Sequence, residues 1–249
     1  MKARVSLLVL CLFGLSLFAL SQSEDELVAQ ADEMLLSLAD METAQDILAK
    51  LETAAETTDN NYDVNWKMSR IIYHIGSHTA DKKEQQEIFT RAITLAEKAI
   101  ALEPEKPDGH FWHAVNNGKY GESKGVMKSL GLVKPIKAAM NKVIELDRSY
   151  EEGGADRVLG RVFFKVPGIA GGDKDESLRR LLKSIEYGPN DPITLLYLGE
   201  TYLALKEIDK ARDALNKVLS IEDDGLWLNS IKQCHLDAKV VLENRKFRK

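Results

Sequence analysis

Two arginines four residues apart, Arg157 and Arg161, carry the sharpest chemical signal in the sequence. On a helix that spacing puts both guanidiniums on one face, where their N–H forks could clamp a carboxylate. The competing reading is an ordinary ion pair, Arg161 with Glu200 or Arg157 with Asp156, of the solvated kind that contributes little. Histidines offer metal chemistry in two places: His74 and His78 lie four apart, and His110 and His113 lie three apart. Either spacing can present two imidazoles side by side. Neither pair has the Glu of an H-E-x-x-H site or a cysteine pair nearby, so the sequence implies no metal centre and no cofactor.

Gly171-Gly172-Asp173 opens onto a helix start, a place that can hold phosphate. No Lys-Ser or Lys-Thr follows, however, and Asp173 would itself cap the helix and repel an anion. The glycines read as a connector between two helices. No G-x-S-x-G occurs, and Cys234 lies in an amphipathic stretch where it reads as core. No catalytic residue is expected, and the chemistry on offer is that of binding.

The elements that would position these side chains begin after a leader. Lys2 and Arg4 precede an uncharged apolar run from Val5 to Leu20, and Ala19-Leu20-Ser21 puts small residues where a signal peptidase reads. The layout predicts a cleaved signal peptide at 1–21 and one domain at 22–249, in a periplasmic or secreted setting. The run of 16 residues is short of the ~20 that cross a bilayer, so an N-terminal membrane anchor is the weaker alternative. Leu10 before Cys11 argues against lipidation.

Cleavage would take the formal charge from −5 to −7, which argues against nucleic acid as a partner because phosphate neutralisation needs clustered lysine and arginine. It would also leave Cys234 as the one thiol, with no internal disulfide to staple the fold. Stability must come from a core, which 228 residues can bury.

Internal periodicity shows how. Asp191-Pro192 supplies a cap and a first-turn proline, and Leu195, Leu198-Gly199, Tyr202, Ala211, Leu215 and Val218 follow in order. This resembles the tetratricopeptide repeat, in which small residues such as Gly199 and Ala211 let two helices cross closely while Leu195, Leu198, Tyr202 and Leu215 fill the space around them. Looser units run from Gly153 to Pro189, from Asp108 to about Tyr150, and from about Asp63 to Pro104. Two further helices, Leu27 to Leu38 and Ala44 to Ala55, are opened by a capping box at Ser23-x-x-Glu26, and Asp173-x-x-Glu176 reads as another. The unit-ending residues Pro104, Arg148, Pro189 and Asp223 are 44, 41 and 34 apart, so the inner units carry insertions. From Leu226 to about Asn244 a last amphipathic helix would cap the open end. The expected fold is all-α: an α-solenoid of about five tetratricopeptide-like helix pairs with a C-terminal capping helix.

Residues 107 to 224 resemble the T-component family of TRAP transporters, TatT, and related exported tetratricopeptide proteins. The resemblance rests on Gly109-His110-Phe111-Trp112-His113-Ala114, Gly118-Lys119-Tyr120-Gly121-Glu122, the stretch from Glu151 to Gly160, and Pro167-Gly168…Gly171-Gly172-Asp173. It implies a periplasmic accessory protein that works with a solute-binding receptor and holds or transfers a small hydrophobic or carboxylated ligand in an apolar cavity. By the repeat register the first helix of each unit would line the concave side with Ile71, Ile75, Phe111, Val115, Phe164, Leu196 and Leu203, beside Arg157 and Arg161. The same residues could instead fill the superhelix interior. The alternative function is an interaction scaffold that holds a peptide or partner protein in that groove, and a second copy of the chain is a further candidate partner.

Overall fold

The computed structural model describes residues 23–57, 61–228, 230–244 and 247, and the leader expected at 1–21 lies outside them. Among the described residues there are eleven α-helices and no strand: α1 (Glu24–Leu35), α2 (Met41–Thr57), α3 (Tyr62–His78), α4 (Lys82–Leu102), α5 (Pro107–Lys124), α6 (Val133–Leu146), α7 (Tyr150–Lys165), α8 (Lys174–Ser184), α9 (Pro192–Ala204), α10 (Ile208–Leu219) and α11 (Ile231–Leu242). Two 3-10 turns, Val126–Leu132 and Gly168–Ala170, sit in the connections after α5 and α7. No described helix is long and apolar enough to cross a membrane.

Local chemistry sets the helix starts. Ser23 and Glu26 form a complete capping box. The carboxamide of Asn61 accepts from the first turn of α3, and Asp81, Asp173 and Asp191 do the same for α4, α8 and α9. Prolines at 107 and 192 occupy first-turn positions whose N–H would have no partner anyway. The Glu26-type return bond is absent at Asp173, because Glu176 turns instead to Arg179 and Arg180.

The helices pack as five antiparallel pairs, α1/α2 through α9/α10, with α11 laid across α9 and α10. The close crossing inside a pair depends on glycine in the leading helix. A Cβ on Gly160 would lie 2.7 Å from Leu181, and one on Gly199 would lie 2.6 Å from Leu215, both inside van der Waals contact. Three apolar clusters follow the stack: one under the first two pairs, one around Phe111, Trp112, Met140 and Leu159, and one joining Leu195, Leu196, Leu215 and Val218 to Cys234 and Ala238 of α11. Cys234 is core, and burial pushes its thiol up to about 12.

Two backbone features have no signal in the sequence. Glu151, Glu152 and Gly153 have φ of 49°, 55° and 74°, a left-handed turn that opens α7 ahead of its regular part. Such a run costs energy at the two glutamates and persists only where contacts over-determine it. Those contacts are the Glu151 carbonyl, which accepts from Arg157, and the Glu151 carboxylate, which meets Arg70.

The second feature is a closure. After α10 the chain runs to the other end of the stack, where the Trp227 N–H donates to the Leu38 carbonyl at 2.8 Å. Its indole stacks on His78 with ring centres 3.5 Å apart and planes 10° from parallel, and Leu228 joins the first apolar cluster. The chain then returns as α11. Trp227→Ala is expected to lower stability by about 2 kcal/mol, less than a fully buried tryptophan would cost. Amides of α1 and α2 should then exchange with deuterium faster while those of α7 and α8 stay unchanged. Uniform acceleration along the chain would mean that the closure does not hold the first pair.

Candidate binding groove

The leading helices α3, α5, α7 and α9 lie side by side and bring a polar and aromatic cluster to one face. Arg70 and Tyr73 come from α3, Lys119 and Glu122 from α5, Arg157 and Arg161 from α7, and Tyr197 and Glu200 from α9. Arg70 lies over the Trp112 ring, 5.5 Å from its centre, and 3.7 Å from the Glu151 carboxylate. Arg161 stacks over Tyr197 at 4.1 Å and pairs with Glu200. Arg157 pairs with Asp191 at 3.0 Å, and Asp191 also accepts from the Thr194 N–H at the start of α9.

The cluster's electrostatics are internally matched. Burial works against the Arg157 charge, and Asp191, then Glu151, more than offset it. Lys119 is held above its ordinary value, first by Tyr73 and then by Glu122 and Tyr197, against its own burial. Burial pushes the Tyr197 phenol up to about 12, with Arg161 and Lys119 pulling the other way. Further along, the Asp108 carboxylate accepts from Tyr62 at 2.7 Å and from Tyr150 at 2.9 Å, tying pairs two and four to α5. Burial and that carboxylate hold both phenols well above their ordinary value. The face thus carries guanidiniums and a lysine held by carboxylates, with the rings of Tyr73 and Tyr197 beside them.

The residues expected on this face divide. Ile75, Val115 and Phe164 are partly exposed, whereas Ile71, Phe111, Leu196 and Leu203 are buried. Ile71, Phe111 and Leu196 sit in the three apolar clusters, so they pack the stack and form no open wall. One position along a helix turns a side chain by about 100°, so the neighbours of the buried residues point elsewhere. Arg70 in place of Ile71, and Tyr197 in place of Leu196, face the groove. The arginine pair does occupy one helix, yet each guanidinium is held by a carboxylate of the chain itself. Arg161 takes Glu200, while Arg157 takes Asp191 and not Asp156.

The histidines are used singly. His74 is buried, His78 donates to the His74 carbonyl and stacks on Trp227, His110 reaches the Pro104 carbonyl, and His113 lies 3.7 Å from Glu97. Asp173 fills the helix start at the glycine loop with its own carboxylate, 2.9 and 3.0 Å from the Asp175 and Glu176 N–H groups. A Cβ on Gly172 would meet the Val166 carbonyl at 1.7 Å, so the loop closes on itself. A narrow space between α1, α2 and α3 has room for about 10 Å³, no more than one water. On the trailing-helix side a shallow depression of about 400 Å³ is lined by Arg148, Arg179, Arg180, Leu182, Lys183 and Glu186. The first is apolar but too small for a ligand, and the second is open and lined mostly by charged side chains, so neither is a ligand chamber.

Beneath that depression lies the feature most clearly missed. Asp156 is 0% exposed and is held by Arg148 at 2.8 Å and by Arg180 at 3.0 Å. Arg180 also meets Glu176 at 2.8 Å. The partners of Asp156 are 8 and 24 residues away, spacings that no helix-face rule signals.

This architecture defines a tetratricopeptide-like helical-repeat protein. The tetratricopeptide protein TTC0263 of Thermus thermophilus superposes with a TM-score of 0.65 at 12% identity, over 88% of this chain and 99% of that one. MamA gives 0.50 at 16% identity, over 76% and 92%. Within that class the chain belongs to the family described as regulator of microtubule dynamics protein 1-3, which matches residues 27–166. A curated relative, regulator of microtubule dynamics protein 3 of Rattus norvegicus, is 24% identical over 170 residues, which is 62% of this chain. The aligned region spans 36% of that relative's length. The matching family is thus not the transporter T-component family that residues 107–224 resemble. The repeat architecture expected from the sequence holds, whereas the family is the regulator of microtubule dynamics family.

Proposed function

We propose that this chain is an interaction scaffold that holds a peptide or an extended segment of a partner protein along the face formed by α3, α5, α7 and α9. The observation that carries this reading is the row of carboxylate-paired cations, with tyrosine rings beside them, on four successive leading helices. Arg157 and Arg161 are 13% and 20% exposed, so a ligand can reach them while their partners hold them in place. A segment laid along the row would exchange its carboxylates and amides for Glu122, Asp191 and Glu200 and stack on Tyr73 and Tyr197. Preorganisation of this kind reduces the ordering cost of binding. The family's description makes microtubule proteins the first partners to try.

The test is a selection of random peptides on the immobilised full chain, followed by affinity measurement on variants. Peptides held in the groove should bind the Lys119→Ala/Tyr197→Ala variant at least tenfold more weakly and bind an Arg179→Ala variant as they bind the wild type. Selected peptides with the opposite pattern would place recognition on the trailing-helix side and end the groove reading.

A further inference from the structure

The two longest connections between leading and trailing helices, residues 125–132 after α5 and 166–173 after α7, stand at the same end of neighbouring helix pairs. Lys137, on α6 just past the first connection, donates to the Gly171 carbonyl at 3.2 Å and lies 3.6 Å from the centre of the Phe163 ring, which ties the start of α6 to the second connection. Both project from the body: a Cβ placed on Gly125, Gly131 or Gly168 would meet nothing within 4 Å. At their tips stand Ile169, 99% exposed, and Met127, 69% exposed. An isoleucine left wholly in water at the end of a loop contributes nothing to the fold.

Lysines bracket each tip. Lys124 and Lys134 flank the first connection with Lys128 inside it, and Lys165 and Lys174 flank the second. Between Lys165 and Asp173 there is no charged residue at all. Over 124–137 and 165–175 six lysines face two aspartates, Asp173 and Asp175, on a chain whose net charge is −5. Asp173 is occupied in capping α8, Glu122 nearby is paired with Lys119, and Glu176 with Arg179 and Arg180. Lys128, Lys134 and Lys165 have no ion pair among the described residues.

From this juxtaposition we infer that the paired tips at Met127 and Ile169, with their bracketing lysines, dock on the surface of an anionic lipid bilayer. Single apolar side chains on short loops gain by entering the headgroup boundary, where lysines beside them reach outward to anionic lipid. A protein partner fits less well, because the exposed apolar side chains are two separate tips and form no continuous patch. Nucleic acid would use the lysines and leave the apolar tips in water. Docking there sets the edge of the solenoid on the membrane and leaves the groove face free to hold a partner.

The test reads the environment of each tip in the full chain. With Cys11→Ser and Cys234→Ala in place, Ile169→Cys, Met127→Cys or Val240→Cys is labelled with an environment-sensitive fluorophore; Val240 is an exposed control on α11. Vesicles of phosphatidylcholine alone are compared with vesicles carrying about 30% phosphatidylserine, an anionic lipid. The labels at 169 and 127 should shift to the blue on the anionic vesicles only, and the label at 240 on neither. Each exposed lysine near the surface is worth roughly fivefold in partition. Replacing Lys124, Lys128, Lys134 and Lys165 together by glutamine should therefore abolish the shift at 169. The inference is overturned if the tips stay in water on anionic vesicles, if the label at 240 shifts as much, or if the shift survives the glutamine substitutions. Because the readout is local, an attachment through residues 5–20 would carry every label to the vesicle without moving the signal at 169.

Discussion

Replacing Arg148 and Arg180 together by alanine should lower the stability of the fold by about 3–5 kcal/mol, which urea denaturation will read as a reduced midpoint at unchanged slope. The reason is Asp156, whose carboxylate is wholly buried on α7 and has these two guanidiniums as its ion-pair partners. A charge taken out of water is tolerated only while its partners come with it. Either single substitution should cost less, about 1–2 kcal/mol, because the remaining arginine still satisfies one side of the carboxylate. The decisive comparison is the triple variant that adds Asp156→Ala. With the charge gone there is nothing left to neutralise, and most of the lost stability should return. If the triple variant is as unstable as the double, the arginines act through packing of their stems and not through charge.

That clasp shows what a sequence of this kind reveals and what it withholds. The order Leu195, Gly199, Ala211, Leu215 announces a helix pair because each residue type answers a local need: a small side chain where backbones approach, a large one beside it. The caps at Ser23, Asp173 and Asp191 are equally local, and helix starts can be read from them. The architecture of five pairs and a capping helix follows from these signals, since a repeated unit can bury its faces only by stacking. Contacts between units are another matter. Arg148 with Asp156 and Trp227 with Leu38 join residues that the repeat register does not set opposite one another.

The groove is only partly legible for a related reason. Placing the apolar residues at 71, 111, 196 and 203 on the concave face presumes that each leading helix has one buried face. In this stack each leading helix also packs on its neighbours before and after, as α5 does on α3 and α7. Two faces are therefore apolar, and the groove falls to the polar and aromatic residues one position away. Arg161 with Glu200 is readable as an ion pair because both lie on leading helices one unit apart. Glu151 and Glu152, ordinary helix formers, give no sign of their left-handed turn.

Acidification should expose a second buried group. His74 lies on α3 beside Trp112, with ring centres 6.4 Å apart, and its Nε2 has no hydrogen-bond partner among the described residues. Burial first, then the charges of Arg70 and His78, push its pKa down to about 3, whereas in the unfolded chain it titrates near its ordinary 6.5. Between those values the unfolded chain binds a proton that the folded one refuses, so stability falls as the pH falls. The contribution is intact above about pH 6.5 and is progressively lost down to about pH 3. From pH 7 to pH 5, where most carboxylates are still ionised, this histidine alone should remove about 2 kcal/mol. His74→Gln carries no titrating group there and should lose correspondingly less over the same interval, whatever its stability at pH 7. The measurement is a pair of urea titrations at each pH for the two proteins, compared as differences so that other groups cancel. Equal losses would show that His74 becomes protonated without unfolding, with water entering between α3 and α5 to solvate the imidazolium. A larger loss in the wild type would show that this part of the stack stays closed until it unfolds.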